Sequence, residues 1–194
     1  DIRGVGPNIW NGWKAALMRD LFTRADAVLR GADPEAISAG SAIEAQKLVR
    51  EGLASWSDEE FAAHSSNLPV SYWTSFDTPS QIAHAELSYG FRLQKVPILI
   101  DLRPDVPKRI TEMTVMSIDD AGLFSRIAGA VASTGVNIVG ARIATCLDGS
   151  VLDVFILQTT NNEAVGDPTL LGRLQKNVEA AITGSFRAHP MLSA

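Results

Sequence analysis

At Val96 the hydrophobic period of this chain changes, which divides it into an all-helical stretch and a stretch that contains strands. From there Val96, Ile98, Ile100 and Leu102 alternate with Pro97, Leu99, Asp101 and Arg103, the two-residue period of a strand. Upstream the spacing is helical. Pro7 suits a first helical turn, and Ile9, Trp10, Trp13, Leu17, Leu21, Val28 and Leu29 follow at mixed three- and four-residue intervals. Residues 7–31 therefore read as an amphipathic helix with an aromatic-rich buried face. Asp33-Pro34 supplies a cap and a first-turn proline for a second helix through about Glu51. Ser57-Asp58-Glu59-Glu60 is a capping box for a third, and Thr78-Pro79 opens a fourth that runs to about Leu93. In the turn region between the last two, Tyr72, Trp73 and Phe76 are expected packing anchors. Residues 1–94 are thus read as all helix.

Downstream, "RPDVPKR" makes a turn, and the pattern continues as a strand from Thr111 and a helix over Leu123–Ser133. A strand over Ile138–Thr145 and a Leu147-Asp148-Gly149 turn follow. A strand over Val151–Thr159 and a helix capped by Asp167-Pro168 complete the pattern. This β-α-β-β-α order is the bulk of a ferredoxin-like split βαβ unit. The fold class is therefore α+β: a helical segment, 1–94, then an antiparallel sheet with two helices on one face, 95–190. The unit's fourth strand has a poor candidate in the proline-broken tail "SFRAHPMLSA". The 96–102 strand, joined to the next by a short loop, is expected to take its place. The strand at 151–159 is apolar on both sides, Leu152, Val154 and Ile156 on one and Phe155 and Leu157 on the other. A single helical layer covers one face. The other, taken as the one near Phe155 and Leu157, needs the helical segment, a second copy or a neighbouring domain.

Composition excludes several classes. A net charge of −5 argues against nucleic acid as a partner, and apolar runs such as Val96–Ile100 fall far short of the ~20 residues that span a membrane. The single cysteine, Cys146, rules out an internal disulfide. A soluble, cytoplasmic chain is expected. It opens on Asp1 in what reads as the inside of a folded element, so a piece of something longer is expected too.

Two polar corners bracket the helix at 123–133. Asp119-Asp120-Ala121-Gly122 precedes its N-terminus, where backbone N–H groups lack internal partners and carry partial positive charge. Gly122 admits close backbone approach and an aspartate can pair with an ammonium, which together suit an amino-acid zwitterion. The alternative is that an aspartate simply caps the helix while the glycine turns the chain. At Gly135-Val136-Asn137-Ile138, Gly135 can end the helix and Asn137 can reach a ligand across a subunit boundary, or bond to its own backbone.

"TEMTVMSIDDAGLFSRIAGAVASTGVNIVGARIATCLDGSVLDVFILQ", Thr111–Gln158, resembles an ACT domain, an amino-acid-sensing module built as strand, acidic-Pro-Gly-Leu corner, helix, Gly-x-Asn-Ile corner, strand. Together with "DIRGVGPNIWNGWKAALMR" and "LPVSYWTSFDT", it resembles the end of the HD hydrolase domain, the linker and the first ACT domain of bifunctional PII uridylyltransferase/uridylyl-removing enzymes. That resemblance implies a longer enzyme that moves UMP from UTP to the nitrogen-regulatory PII protein, hydrolyses it off again, and senses glutamine through a pair of ACT domains. It implies Asp119, Asp120, Gly122, Leu123, Asn137 and Ile138 as amino-acid-binding residues, the two corners walling one groove, and ACT–ACT pairing. It also implies that Asp1 is the last metal ligand of the HD domain, with magnesium or another divalent ion in the longer enzyme and none in this piece. His64, His84 and His189 lack metal-ligand spacing, so the piece alone is not expected to be catalytic. Ala121 departs from the family pattern by standing where proline is usual, which implies a looser loop and weaker binding. The chain also stops before a second ACT domain.

Two other readings compete. One is a structural docking module that binds no amino acid; the other is an amino-acid sensor from another HD-plus-ACT regulator, such as a guanosine-tetraphosphate enzyme, which the tryptophan-bearing linker does not fit. Lys14 and Arg19 can contact a nucleotide phosphate or form a solvated helix face. Arg126 and Arg142 can line the groove or pair with Asp119, Asp120 or Asp153. Cys146 has no activating partner in sequence, and Gly4-Val5-Gly6 lacks the strand and third glycine of a nucleotide fingerprint.

Overall fold

The computed structural model describes residues 12–31 and 33–184. Asp1, Gly4-Val5-Gly6, Pro7, Ile9, Trp10 and His189 lie outside the described residues, as do the side chains of Trp13, Lys14 and Leu17. The order is α1 (Gly12–Leu29), α2 (Pro34–Gly52), α3 (Asp58–Asn67), α4 (Val70–Trp73), α5 (Thr78–Gln94), β1 (Ile98–Asp105), β2 (Ile110–Ile118), α6 (Leu123–Ala132), β3 (Asn137–Thr145), β4 (Ser150–Gln158) and α7 (Pro168–Ile182).

The helix starts follow from local chemistry. Asp33 and Asp167 each accept a backbone N–H two residues on and are followed by a first-turn proline. Asp77 caps α5 through the Ser80 N–H. Ser57 and Glu60 form the complete reciprocal box at the start of α3. The turn region before α5 contains one helical turn, α4, which places Tyr72 and Trp73 in the core at 2% exposure each. Phe76 packs against them, half-buried.

The four strands lie in the order β1-β2-β4-β3, all neighbours antiparallel. β1 pairs along the outer edge of β2, from Ile98 opposite Ser117 to Asp105 opposite Ile110, and so fills the place of the fourth strand.

Two cores sandwich the sheet. One lies under α6 and α7 and contains Met113, Val115, Leu123, Ile127, Phe155, Leu157, Leu174 and Val178. The other joins Leu152, Val154, Ile156 and Met116 to Val49, Leu53, Leu68, Tyr72, Trp73, Ala85 and Phe91 of the helical segment. The helical segment therefore covers the second face, but that face is the one bearing Leu152, Val154 and Ile156. Phe155 and Leu157 lie beneath α6 and α7, correcting the expectation that they mark the outer face. Strand alternation separates two sets of side chains without saying which set the crossover helices cover.

A second correction concerns α1. Leu21, Val28 and Leu29 are exposed, along with Phe22, so the face expected to be buried is not covered by the described residues. Its periodicity records an apolar stripe; burial additionally requires a neighbour. No helix among the described residues is long and apolar enough to cross a membrane.

Candidate functional site

The first corner is a defined turn. Leu123 N–H donates to Asp120 C=O at 3.0 Å, Gly122 sits at φ 78°, ψ 9°, and Ala121 is not among the residues with positive φ. That is a type II turn, whose third position favours glycine and whose second favours proline. Ala121 therefore occupies a position where proline's fixed φ fits. Asp119 N–H donates to Gly149 C=O at 3.1 Å, fastening the corner to the β3–β4 hairpin. Gly122 is itself the N-cap of α6, and no side chain caps that helix. The alternative in which an aspartate caps it is thus not what forms. Asp120 turns instead to Arg126, with Nη2 2.5 Å from Oδ2, and this contact holds its exposed carboxyl below the usual range.

Beside the turn opens a cavity of about 410 Å³ lined by Asp119, Asp120, Ala121, Gly122, Leu123, Phe124, Ile143, Thr145, Val151 and Asp153. Four of the proposed ligand-binding residues, Asp119, Asp120, Gly122 and Leu123, meet there. Asp153 lies mid-strand in β4, opposite Val115 on β2 and Ile143 on β3. It is 2% exposed, and its Oδ1 has no hydrogen-bond partner. Burial first, and the neighbouring Asp119 second, push its carboxyl up to about 6.

The second corner lies elsewhere. Gly135, at φ 79°, ends the turn after α6, and Asn137 and Ile138 pair with Gln158 and Leu157 at the far end of the β3–β4 ladder from Asp119. The ten residues of α6 separate the corners by about 15 Å at 1.5 Å per residue. Within one copy Asn137 and Ile138 therefore lie away from this cavity. The same helix that links the corners in sequence holds them apart in space.

The other candidates resolve into packing. Arg142 stacks over Phe76 at 5.2 Å from the ring centroid. Arg19 is exposed. Cys146 is buried, and desolvation pushes its thiol upward. His64 packs edge-on to Trp56 and Trp73, and His84 edge-on to Phe76. Among the described residues no group of three His, Cys, Asp or Glu side chains is placed to hold a metal ion. Asp153, Phe124, Ile143, Thr145 and Val151 were not among the site residues expected. The signal for Asp153 was legible: an acid at an inward-facing position of the otherwise apolar "SVLDVFILQ".

No protein-family model matches the chain. It is 38% identical over 185 residues to the bifunctional uridylyltransferase/uridylyl-removing enzyme of Gluconobacter oxydans, covering 95% of this chain and 20% of that enzyme. The enzymes of the same name from Rhodospirillum rubrum and Azospirillum brasilense are each 35% identical, over 187 and 189 residues, with 96% of this chain and 20% of each enzyme covered. The chain is homologous to one segment of the bifunctional uridylyltransferase/uridylyl-removing enzymes. It spans about a fifth of the length of these curated relatives. Because the match takes in 95% or more of the chain, the helical segment and the sheet both belong to the uridylyltransferase/uridylyl-removing enzyme homology. The sheet and its two helices have the arrangement of an ACT-like domain.

Proposed function

We propose that this chain is the regulatory segment of an enzyme that uridylylates and deuridylylates the PII protein, and that its ACT-like unit binds glutamine at the Asp119–Gly122 corner. The observation that carries the reading is the cavity itself, which sets an uncapped helix start and a close-approach glycine beside the carboxylates of Asp119 and Asp153. The first two attract a ligand carboxylate and the last two its ammonium. The relatives' shared name supports the enzymatic context. Transfer, hydrolysis and any divalent metal belong to other parts of such an enzyme.

Regulation follows from where the corner sits. It terminates β2, and β2 packs through Met116 against the helical segment. A ligand that orders the corner therefore biases the seating of that segment, a coupling free energy between sites. A groove walled by both kinds of corner needs a second ACT module to bring its asparagine corner to this Asp119 corner.

Isothermal titration of the chain with glutamine tests the reading: heat and a raised melting temperature are expected, and neither appearing at millimolar ligand sinks it. The Arg126–Asp120 pair favours a second reading, a docking module that binds no amino acid, because it already occupies part of the acidic wall. Unchanged glutamine dependence after Asp120 and Asn137 are mutated in the full-length enzyme would support docking.

A further inference from the structure

We infer that Asp153 is the acceptor for the ammonium group of the amino acid in the corner cavity, an inference that rests on the amino-acid reading above. A carboxylate at 2% exposure normally has its oxygens paired, because burying a charge without a partner is costly. Asp153 Oδ1 has no hydrogen-bond partner, yet the residue lines a cavity that reaches the helix start. Oδ1 is itself enclosed, so a ligand in the cavity meets this unpaired oxygen once the carboxylate rotates about its terminal torsion, which is soft.

The sign of that partner follows from its surroundings. Asp119 is the charged neighbour acting on Asp153, and both line the cavity. Asp120 is turned to Arg126. Two like charges across a small volume favour a cation between them. The third side of the cavity is the Ala121–Gly122 backbone and the uncapped start of α6, which favours an anion. A ligand carrying both charges on neighbouring atoms satisfies both walls.

Size and lining select an amino acid over a bare metal ion. About 410 Å³ is far more than an ion occupies, and Leu123, Phe124 and Ile143 give the remaining wall an apolar surface suited to carbon. Among the described residues no three metal-ligating side chains converge here, whereas magnesium requires an octahedron of oxygens.

The test is calorimetric titration of the chain and of Asp153→Asn with three probes: L-glutamine, glutaramic acid, which is glutamine without its α-amino group, and magnesium chloride. The expected result is that Asp153→Asn binds glutamine at least ten-fold more weakly while melting no lower than the parent chain, and that glutaramic acid binds the parent chain at least ten-fold more weakly than glutamine. Equal glutamine affinity in the parent chain and Asp153→Asn overturns the role of Asp153 and leaves the amino-acid site standing. Equal affinity of the parent chain for glutaramic acid and glutamine overturns ammonium recognition without recourse to a variant. Magnesium heat that vanishes in Asp153→Asn makes the site a metal site and overturns the inference. No glutamine binding by the parent chain removes both the site and the inference.

Discussion

His84 Nε2 on α5 stands 3.5 Å from Glu112 Oε1 on β2, a polar contact set into the apolar core that joins the helical segment to the sheet. Tyr72 Oη lies 3.0 Å from His84 Nδ1, and Arg103 Nη2 lies 2.5 Å from Glu112 Oε1. At 3.5 Å the His84 contact is longer than a full hydrogen bond, so Arg103 is the stronger partner. Burial pushes the Glu112 carboxyl upward, but the His84 contact and the Arg103 charge outweigh it and hold it below its usual range.

Removing Glu112 should therefore weaken the joint between segment and sheet. Glu112→Ala leaves Arg103 with Asp101 alone and His84 with Tyr72 alone, and should cost about 1.5–3 kcal/mol, the scale of a hydrogen bond to a charged group. Glu112→Gln keeps an acceptor and should cost roughly half as much. Urea denaturation of the two variants measures this; a loss of under about 0.5 kcal/mol for the alanine variant, the level of an ordinary surface change, means the seam contributes nothing.

Both faces of β4 should respond to truncation. Leu152→Ala opens a hole against the helical segment and should cost about 2–5 kcal/mol, and Phe155→Ala opens one beneath α6 and α7 at about 3–5 kcal/mol. Denaturant midpoints decide it. A cost for Leu152→Ala near that of an ordinary surface change would mean that the helical segment does not cover that face.

The type II turn makes opposite forecasts for adjacent residues. Ala121→Pro should stabilise by about 0.4–1 kcal/mol by restricting the unfolded chain, or about 1–4 °C in melting temperature. Gly122→Ala should destabilise by about 1–2 kcal/mol. A Cβ there meets Ser125 Oγ at an ordinary 3.5 Å, so the cost comes from the positive φ rather than from crowding. Paired melting curves read both signs, and a loss of stability in Ala121→Pro contradicts the turn assignment.

Two buried groups set opposing pH dependences. Burial, then the charges of Arg92 and His84, lower His64 from 6.5 to about 4. Between those values the unfolded chain binds more protons, so His64 costs stability as pH falls. Asp153 is raised from 3.8 to about 6. There the folded chain binds more protons, so acidification relieves its buried charge and that cost is fully present only above about pH 6. The two slopes partly cancel between pH 6 and 4. Asp153→Asn should raise the melting temperature at pH 7 by a few degrees and steepen the loss of stability between pH 6 and 4. Melting curves at pH 7, 6 and 5 that run parallel in variant and parent chain would show that Asp153 does not titrate in this range.

Much of the fold was legible because its signals are local. The change of period at Val96, the aspartate-proline caps of α2 and α7 and the Ser57–Glu60 box each act over a few residues. The edge place of β1 was legible as well, since a short hairpin leaves an antiparallel strand little choice of neighbour. The first corner was legible as a turn for the same reason, its glycine and acids being contiguous.

The sequence by itself determined every element but the single turn of α4, their order, the antiparallel sheet and the Asp119–Gly122 corner, because capping, periodicity and turn chemistry are contacts between residues close in the chain. Only the tertiary structure decided which face of β4 meets the helical segment, that Leu21, Val28 and Leu29 of α1 find no cover among the described residues, and that α6 holds Asn137 away from Asp119. It also decided that Asp153, remote in sequence from the corner, shares the corner's cavity. These depend on how layers stack and where a helix's two ends fall in space, and neither is carried by any short run of residues.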